Sequence, residues 1–103
     1  MLKEQSMKIT MAEGDYGEEL PFVIKGENIE ENDIFEFKIK KADNVIIKKE
    51  YTLTDNVFLL SFTEEESKLL TTSNYEWGLK QFREGKLVNT IVLSSMFSVL
   101  RGV

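Results

Sequence analysis

Four carboxylates crowd one short stretch: Glu13, Asp15, Glu18 and Glu19 lie around Gly14 and Gly17, just ahead of Pro21 and an apolar run. Hard oxygen donors at this density are what calcium takes. Asp15, Glu18, Glu19 and Asp33 form the candidate calcium set, although the EF-hand spacing is absent. The competing reading is a turn that delivers the chain into a sheet. In it Gly14 and Gly17 supply permissive backbone, and Asp15 caps its own turn through local backbone hydrogen bonds. The turn reading is favoured. It leaves the acids as a surface for a basic patch on a partner protein.

Other chemistry is thinly supplied. The chain has no histidine and no cysteine. That removes the usual general base, the usual zinc ligand and any thiol nucleophile. With 18 acidic residues, a pair suited to glycoside hydrolysis means little by itself, and the glycine patterns that cradle phosphates are missing. No enzyme activity and no cofactor are expected. Trp77, Tyr16, Tyr51 and Tyr75 could stack on sugar rings. Trp77 alternates with Tyr75 and Leu79, however, which favours a core tryptophan.

The 103 residues carry a net charge of −5, with 42% apolar residues. One folded domain is expected. The negative balance argues against nucleic acid, which demands a basic surface, and against an anionic membrane. No run approaches the roughly 20 apolar residues of a membrane helix. Met1–Ser6 has no hydrophobic signal core, so synthesis in the cytoplasm is expected. Charge is uneven. Glu13–Asp33 holds eight acids, Glu27 among them, against Lys25 alone, whereas Glu36–Tyr51 holds five lysines against three acids. Solvated strand faces and loops account for this most simply.

The elements that must position these residues are strands, because the dominant period is two. Apolar positions alternate at Met7, Ile9 and Met11; at Leu20, Phe22 and Ile24; at Phe35, Phe37 and Ile39; at Phe58, Leu60 and Phe62; and at Tyr75, Trp77 and Leu79. Val45–Leu53 reads as a strand, and Leu87–Leu100 as two short strands or one bent at Ser94-Ser95. Ala42-Asp43-Asn44, Thr54-Asp55-Asn56 and Arg83-Glu84-Gly85-Lys86 suit tight hairpins. Thr63 with Glu66 forms a capping box for a short helical turn near 63–70. Pro21 cannot donate to a ladder, so its strand is an edge or begins there. An antiparallel β-sandwich of about seven to eight strands is expected over residues 7–103, with residues 1–6 a disordered lead-in. The candidate contact surface is the edge strand and acidic loop: Asp15, Glu18, Glu19, Pro21, Val23 and Lys25.

The order of these features resembles a known family. A Gly14-Asp15 turn precedes an edge-like strand; Leu70 follows a helical turn; then come Tyr75 with Trp77, the Gly85 hairpin, and Phe97 with Val99. This is similar to the N-terminal immunoglobulin-like domain of the phage baseplate upper protein family, from phages and prophages of Gram-positive bacteria, and covers the chain from about Met7 onward. The family often has Gly just before the tyrosine, where Ser73-Asn74 stands here; Asn can take the left-handed conformation. The resemblance implies an immunoglobulin-like fold without the disulfide. It also implies structural work in the virion tail, through contacts with itself or with other tail and baseplate proteins, and no catalytic residues. The alternative is a carbohydrate- or cell-surface-binding module, with or without calcium, which expects Trp77, or Tyr16 and Tyr51, exposed in a row.

Overall fold

The strand Ile34–Lys41 (β4) has the cleanest alternation in the chain and is an interior strand of the larger sheet: Phe35, Phe37 and Ile39 are fully buried while Glu36, Lys38 and Lys40 face outward. The structure is a computed structural model and describes residues 1–26 and 28–101; Glu27, Gly102 and Val103, which the charge count and the domain boundary include, lie outside the described residues. In chain order the other strands are Leu2–Gln5 (β1), Lys8–Ala12 (β2), Leu20–Val23 (β3), Asn44–Tyr51 (β5), Val57–Leu60 (β6), Ser73–Arg83 (β7) and Lys86–Leu100 (β8). A six-stranded sheet of order β1-β2-β8-β7-β4-β5 faces a two-stranded sheet, β3-β6. The protein is an all-β sandwich. Neighbouring strands are antiparallel except β2 and β8, which run parallel, so the expectation of a purely antiparallel sandwich is corrected there.

The alternations converge on one core. Ile9, Met11, Phe37, Trp77, Leu79, Phe97 and Val99 from the large sheet meet Phe58, Leu60 and Phe62, with half-buried Leu20 and Phe22 beside them. Aromatic rings lock the layers. Phe37 stacks on Trp77 at 5.5 Å, Phe22 meets Trp77 at 5.7 Å, and Phe62 meets Phe97 edge-on at 5.9 Å, all within the favourable range for such pairs.

The short helix Glu64–Leu69 (α1) has its reciprocal capping box: Thr63 accepts from the Glu66 N–H, and Glu66 accepts from the Thr63 N–H. The acids in its first turn complement the helix dipole. Leu70 follows, fully buried. Just beyond, the Tyr75 hydroxyl donates to the Thr71 carbonyl at 2.9 Å and pins the entry to β7.

Residues 1–6, expected as a lead-in, instead form β1, which pairs with β2 and buries Leu2. The joining turn places Ser6 and Met7 at φ of 53° and 69°. Neither residue type announces a left-handed turn, which is why it escapes sequence reading. The turn is anchored from inside: the Met7 carbonyl accepts from the Trp77 indole N–H at 3.0 Å and from the Ser95 hydroxyl at 2.7 Å.

The C-terminal run is one strand whose pairing with β7 slips at several points. The first slip lies between Trp77 and Leu79, where Trp77 faces Ser95 and Leu79 faces Val92. The irregularity thus adjoins the expected Ser94-Ser95 bend. It needs Gly78, where an added Cβ would sit 3.1 Å from the carbonyl oxygens of both Val92 and Leu93.

Of the three expected hairpin turns, Asp55, Asn56 and Gly85 carry positive φ as their residue types suggest, and Glu84 beside Gly85 does so although its type does not. At the β4–β5 turn the left-handed position falls on Ala42, at φ 53°, and not on Asp43 or Asn44. Alanine is disfavoured there by its Cβ. Ala42→Gly is therefore expected to stabilise the protein by about 0.5–1 kcal/mol, the relief exceeding the extra chain entropy of glycine. A rise in the urea midpoint at unchanged slope checks this.

Candidate functional site

The acidic loop between β2 and β3 is built from backbone constraints outward. Gly14 and Gly17 have φ of 88° and 83°, conformations that glycine adopts at no steric cost. The Gly17 N–H donates to the Phe62 carbonyl at 2.9 Å, tying the loop to the smaller sheet. The carboxylates then reach to two places. Asp15 pairs with the N-terminal ammonium group of Met1. Glu18 accepts from the Leu2 N–H at 2.9 Å and lies 3.5 Å from the same ammonium group. Glu13 accepts from the Thr72 hydroxyl at 2.7 Å and from the Thr72 N–H; these bonds, led by the hydroxyl, hold its carboxyl below the usual range. The expectation that the Asp15 side chain caps its own turn is corrected, since its carboxylate is on the Met1 ammonium group instead. Only its backbone N–H bonds locally, to Ala12 at 3.2 Å. The loop acts as a clasp on β1 and on the segment after α1.

Asp33 is remote from this loop in its bonding. It is only 1% exposed. Arg83 grips it with two parallel N–H bonds of 2.9 Å each, Gln81 donates at 2.7 Å, and the Glu30 N–H donates at 2.8 Å. The Arg83 bonds foremost, helped by Glu30 and Gln81, hold the Asp33 carboxyl far below the usual carboxylate range although burial pushes the other way. The calcium set of Asp15, Glu18, Glu19 and Asp33 is therefore not brought together. Asp15, Glu18 and Asp33 each meet protein donors, and Glu19 stands exposed. Among the described residues, no group of three acids is disposed to hold a metal ion. The Asp33–Gln81–Arg83 cluster was missed by sequence reading. Its signal was Gln81, a polar residue at the fourth inward position after Tyr75, Trp77 and Leu79.

Aromatic platforms for sugar do not form either. Trp77 is 2% exposed, and the Tyr51 ring stacks on Phe58 at 4.7 Å. Tyr16 is exposed at 56%, so the three do not make an exposed row. A second polar clasp closes one side of the sandwich. Lys49 on β5 donates to Glu66 of α1 at 2.8 Å and to the Ser61 carbonyl. Burial alone would push the Glu66 carboxyl up; Lys49 and the capping bonds outweigh it and hold it down.

The remaining candidate is the strand β3 with its flanks. Glu19, Pro21, Val23 and Lys25 are exposed, while Leu20 and Phe22 are half-buried and Ile24 is buried. The Ile24 N–H donates to the Asn56 carbonyl at 2.8 Å. Backbone groups of a strand point alternately to its two sides. Leu20, Phe22 and Ile24 therefore bond toward β6, while Pro21 and Val23 bond away from it. Among the described residues, no backbone partner meets the Pro21 carbonyl or the N–H and carbonyl of Val23. Beside this edge runs an apolar groove of about 200 Å³ between Met7, Phe22, Trp77 and Ile91. The sequence-derived contact residues thus split: Asp15 and Glu18 are engaged within the molecule, whereas Glu19, Pro21, Val23 and Lys25 share one outward row. Among the described residues, no helix is long and apolar enough to cross a membrane. Comparison with protein-family models, with curated proteins and with solved structures finds no match.

Proposed function

We propose that this chain is a protein–protein assembly module, an immunoglobulin-like sandwich serving in a phage or prophage tail or baseplate. The observation that carries the assembly reading is the open edge of β3, with unpaired backbone groups and Val23 57% exposed beside them. Such an edge is a template for a further strand, and natural proteins normally cover or blunt it. The immunoglobulin-like type is supported by the order of the sheets, β3-β6 against β2-β8-β7-β4-β5. It is further supported by the tyrosine tie at the start of β7, a feature of that fold. The phage assignment rests on the likeness of motif order: the Gly14-Asp15 turn, Leu70, Tyr75 with Trp77, Gly85, and Phe97 with Val99. Fold alone does not fix function, so the decisive measurement is binding. Sedimentation velocity of the purified chain mixed with the tail proteins encoded beside it is expected to give a faster co-sedimenting species. Failure to associate with every one of them would sink the phage reading.

A further inference from the structure

We infer that the β3 edge is completed by a second copy of this chain, the two β3 strands pairing antiparallel about a two-fold axis at Phe22. The inference rests on the assembly reading and names its partner.

Other strand edges are less available. On β6, the outward groups of Val57 are taken by Thr54 at 2.9 and 3.0 Å and the Ser61 carbonyl by Lys49, so the outward groups of Leu59 stand alone between two occupied positions. The β5 edge is flanked by α1 through the Lys49–Glu66 pair. The β1 strand exposes three successive polar residues, Lys3, Glu4 and Gln5, a composition that discourages pairing. That leaves β3, which is likewise four residues long and carries Pro21, but whose charged flanks are of opposite sign at its two ends.

The register follows from charge and from that proline. The outward row reads Glu19, Pro21, Val23, Lys25: an acid at one end, a base at the other, apolar residues between. A strand with this polarity complements itself when antiparallel. Pairing about Phe22 sets Glu19 opposite Lys25 of the second copy, and Pro21 opposite its Val23. In that register Val23 donates to the Pro21 carbonyl of the second copy, and Glu19 and Lys25 exchange both backbone bonds. Proline removes the donor that would have met the Val23 carbonyl and puts its ring in that place, so each Pro21–Val23 pair keeps one bond of two. Opposite charges directly across a strand pair stabilise it, and like charges there destabilise it. The product is a continuous four-stranded sheet, β6-β3-β3-β6, with the backbone groups of Val23 and the carbonyl of Pro21 at its centre.

The test is sedimentation equilibrium of the full chain with its Glu19→Lys, Lys25→Glu and doubly reversed variants, together with amide exchange of Val23. A dimer is expected. Either single reversal should weaken it about tenfold or more, and the double reversal should restore it to near the original affinity, because the pairs re-form with signs exchanged. The Val23 amide should exchange freely in dilute monomer and slowly in dimer. A chain monomeric up to about 1 mM, or a dimer indifferent to both single reversals, overturns the inference. Its failure is distinct from that of the assembly reading. A monomer that still binds a tail protein sinks only self-pairing, and a charge-sensitive dimer that binds no tail protein sinks only the phage assignment.

Discussion

Replacing Trp77 with alanine is expected to destabilise the protein by about 3–5 kcal/mol, the range for emptying a large aromatic site in a packed core. Three losses coincide. The indole is 2% exposed and touches rings on both sheets, Phe37 at 5.5 Å and Phe22 at 5.7 Å. It also donates the 3.0 Å bond to the Met7 carbonyl that anchors the left-handed β1–β2 turn. A domain of this size has a total stability of about 5–15 kcal/mol, so the variant should sit near the threshold of folding. Trp77→Phe separates the contributions. It keeps most of the ring contact, removes the indole donor, and should cost about 1–2 kcal/mol. Urea unfolding followed by far-ultraviolet circular dichroism measures both, since Trp77 is the one tryptophan in the chain and its fluorescence leaves with it. A loss under 1 kcal/mol for the alanine variant would mean that Trp77 does not join the sheets as described.

Removing the Asp33 carboxylate is the second large effect. Asp33→Ala should cost about 2–3 kcal/mol, since it strips charge-assisted bonds from Arg83 and leaves the Gln81 amide and the Glu30 N–H short of an acceptor. The penalty stays below that of a wholly buried ion pair because Arg83 keeps 26% of its side chain in solvent. The same group shapes the acid limb of stability. In the unfolded chain an aspartate takes up its proton near pH 3.9, whereas folded Asp33 stays ionised well below that. Stability from this group is thus fully present above about pH 4 and is lost progressively as the pH falls further, because the unfolded state binds the proton first. Glu66 adds a smaller contribution of the same sign. Urea midpoints measured from pH 7 down to pH 2.5 should decline below about pH 4, with a shallower decline in Asp33→Asn. An identical acid limb in that variant would show that Asp33 does not carry the effect.

These two sites mark how far the sequence could be read. Tyr75, Trp77 and Leu79 alternate with polar neighbours, and Phe35, Phe37 and Ile39 do likewise; a period of two with one buried face leaves little choice but a strand. Local chemistry was equally legible where one short segment contained all of it. Thr63 with Glu66 wrote the start of α1, and Asp55-Asn56 and Glu84-Gly85 wrote their turns. Asp33, by contrast, appeared only as one acid near a crowded acidic loop. Its partners Gln81 and Arg83 lie about fifty positions away and arrive because β4 and β7 pair with Ile34 opposite Phe82. Met7 likewise gave no turn signal, since the bonds that hold its carbonyl come from Trp77 and Ser95.

The all-β class, the inward faces, the capped helical turn and the three expected turns were legible in the sequence, because each depends on residues within a few positions of one another. Long-range packing set the parallel β2–β8 pairing, the pairing of residues 2–5 as a strand, and the separate employment of Asp15, Glu18 and Asp33. It also decided which edge of β3 is left unpaired. These depend on register between distant strands, and a pairing that brings a carboxylate to an ammonium group or a guanidinium is stabilised by contacts that no local pattern encodes.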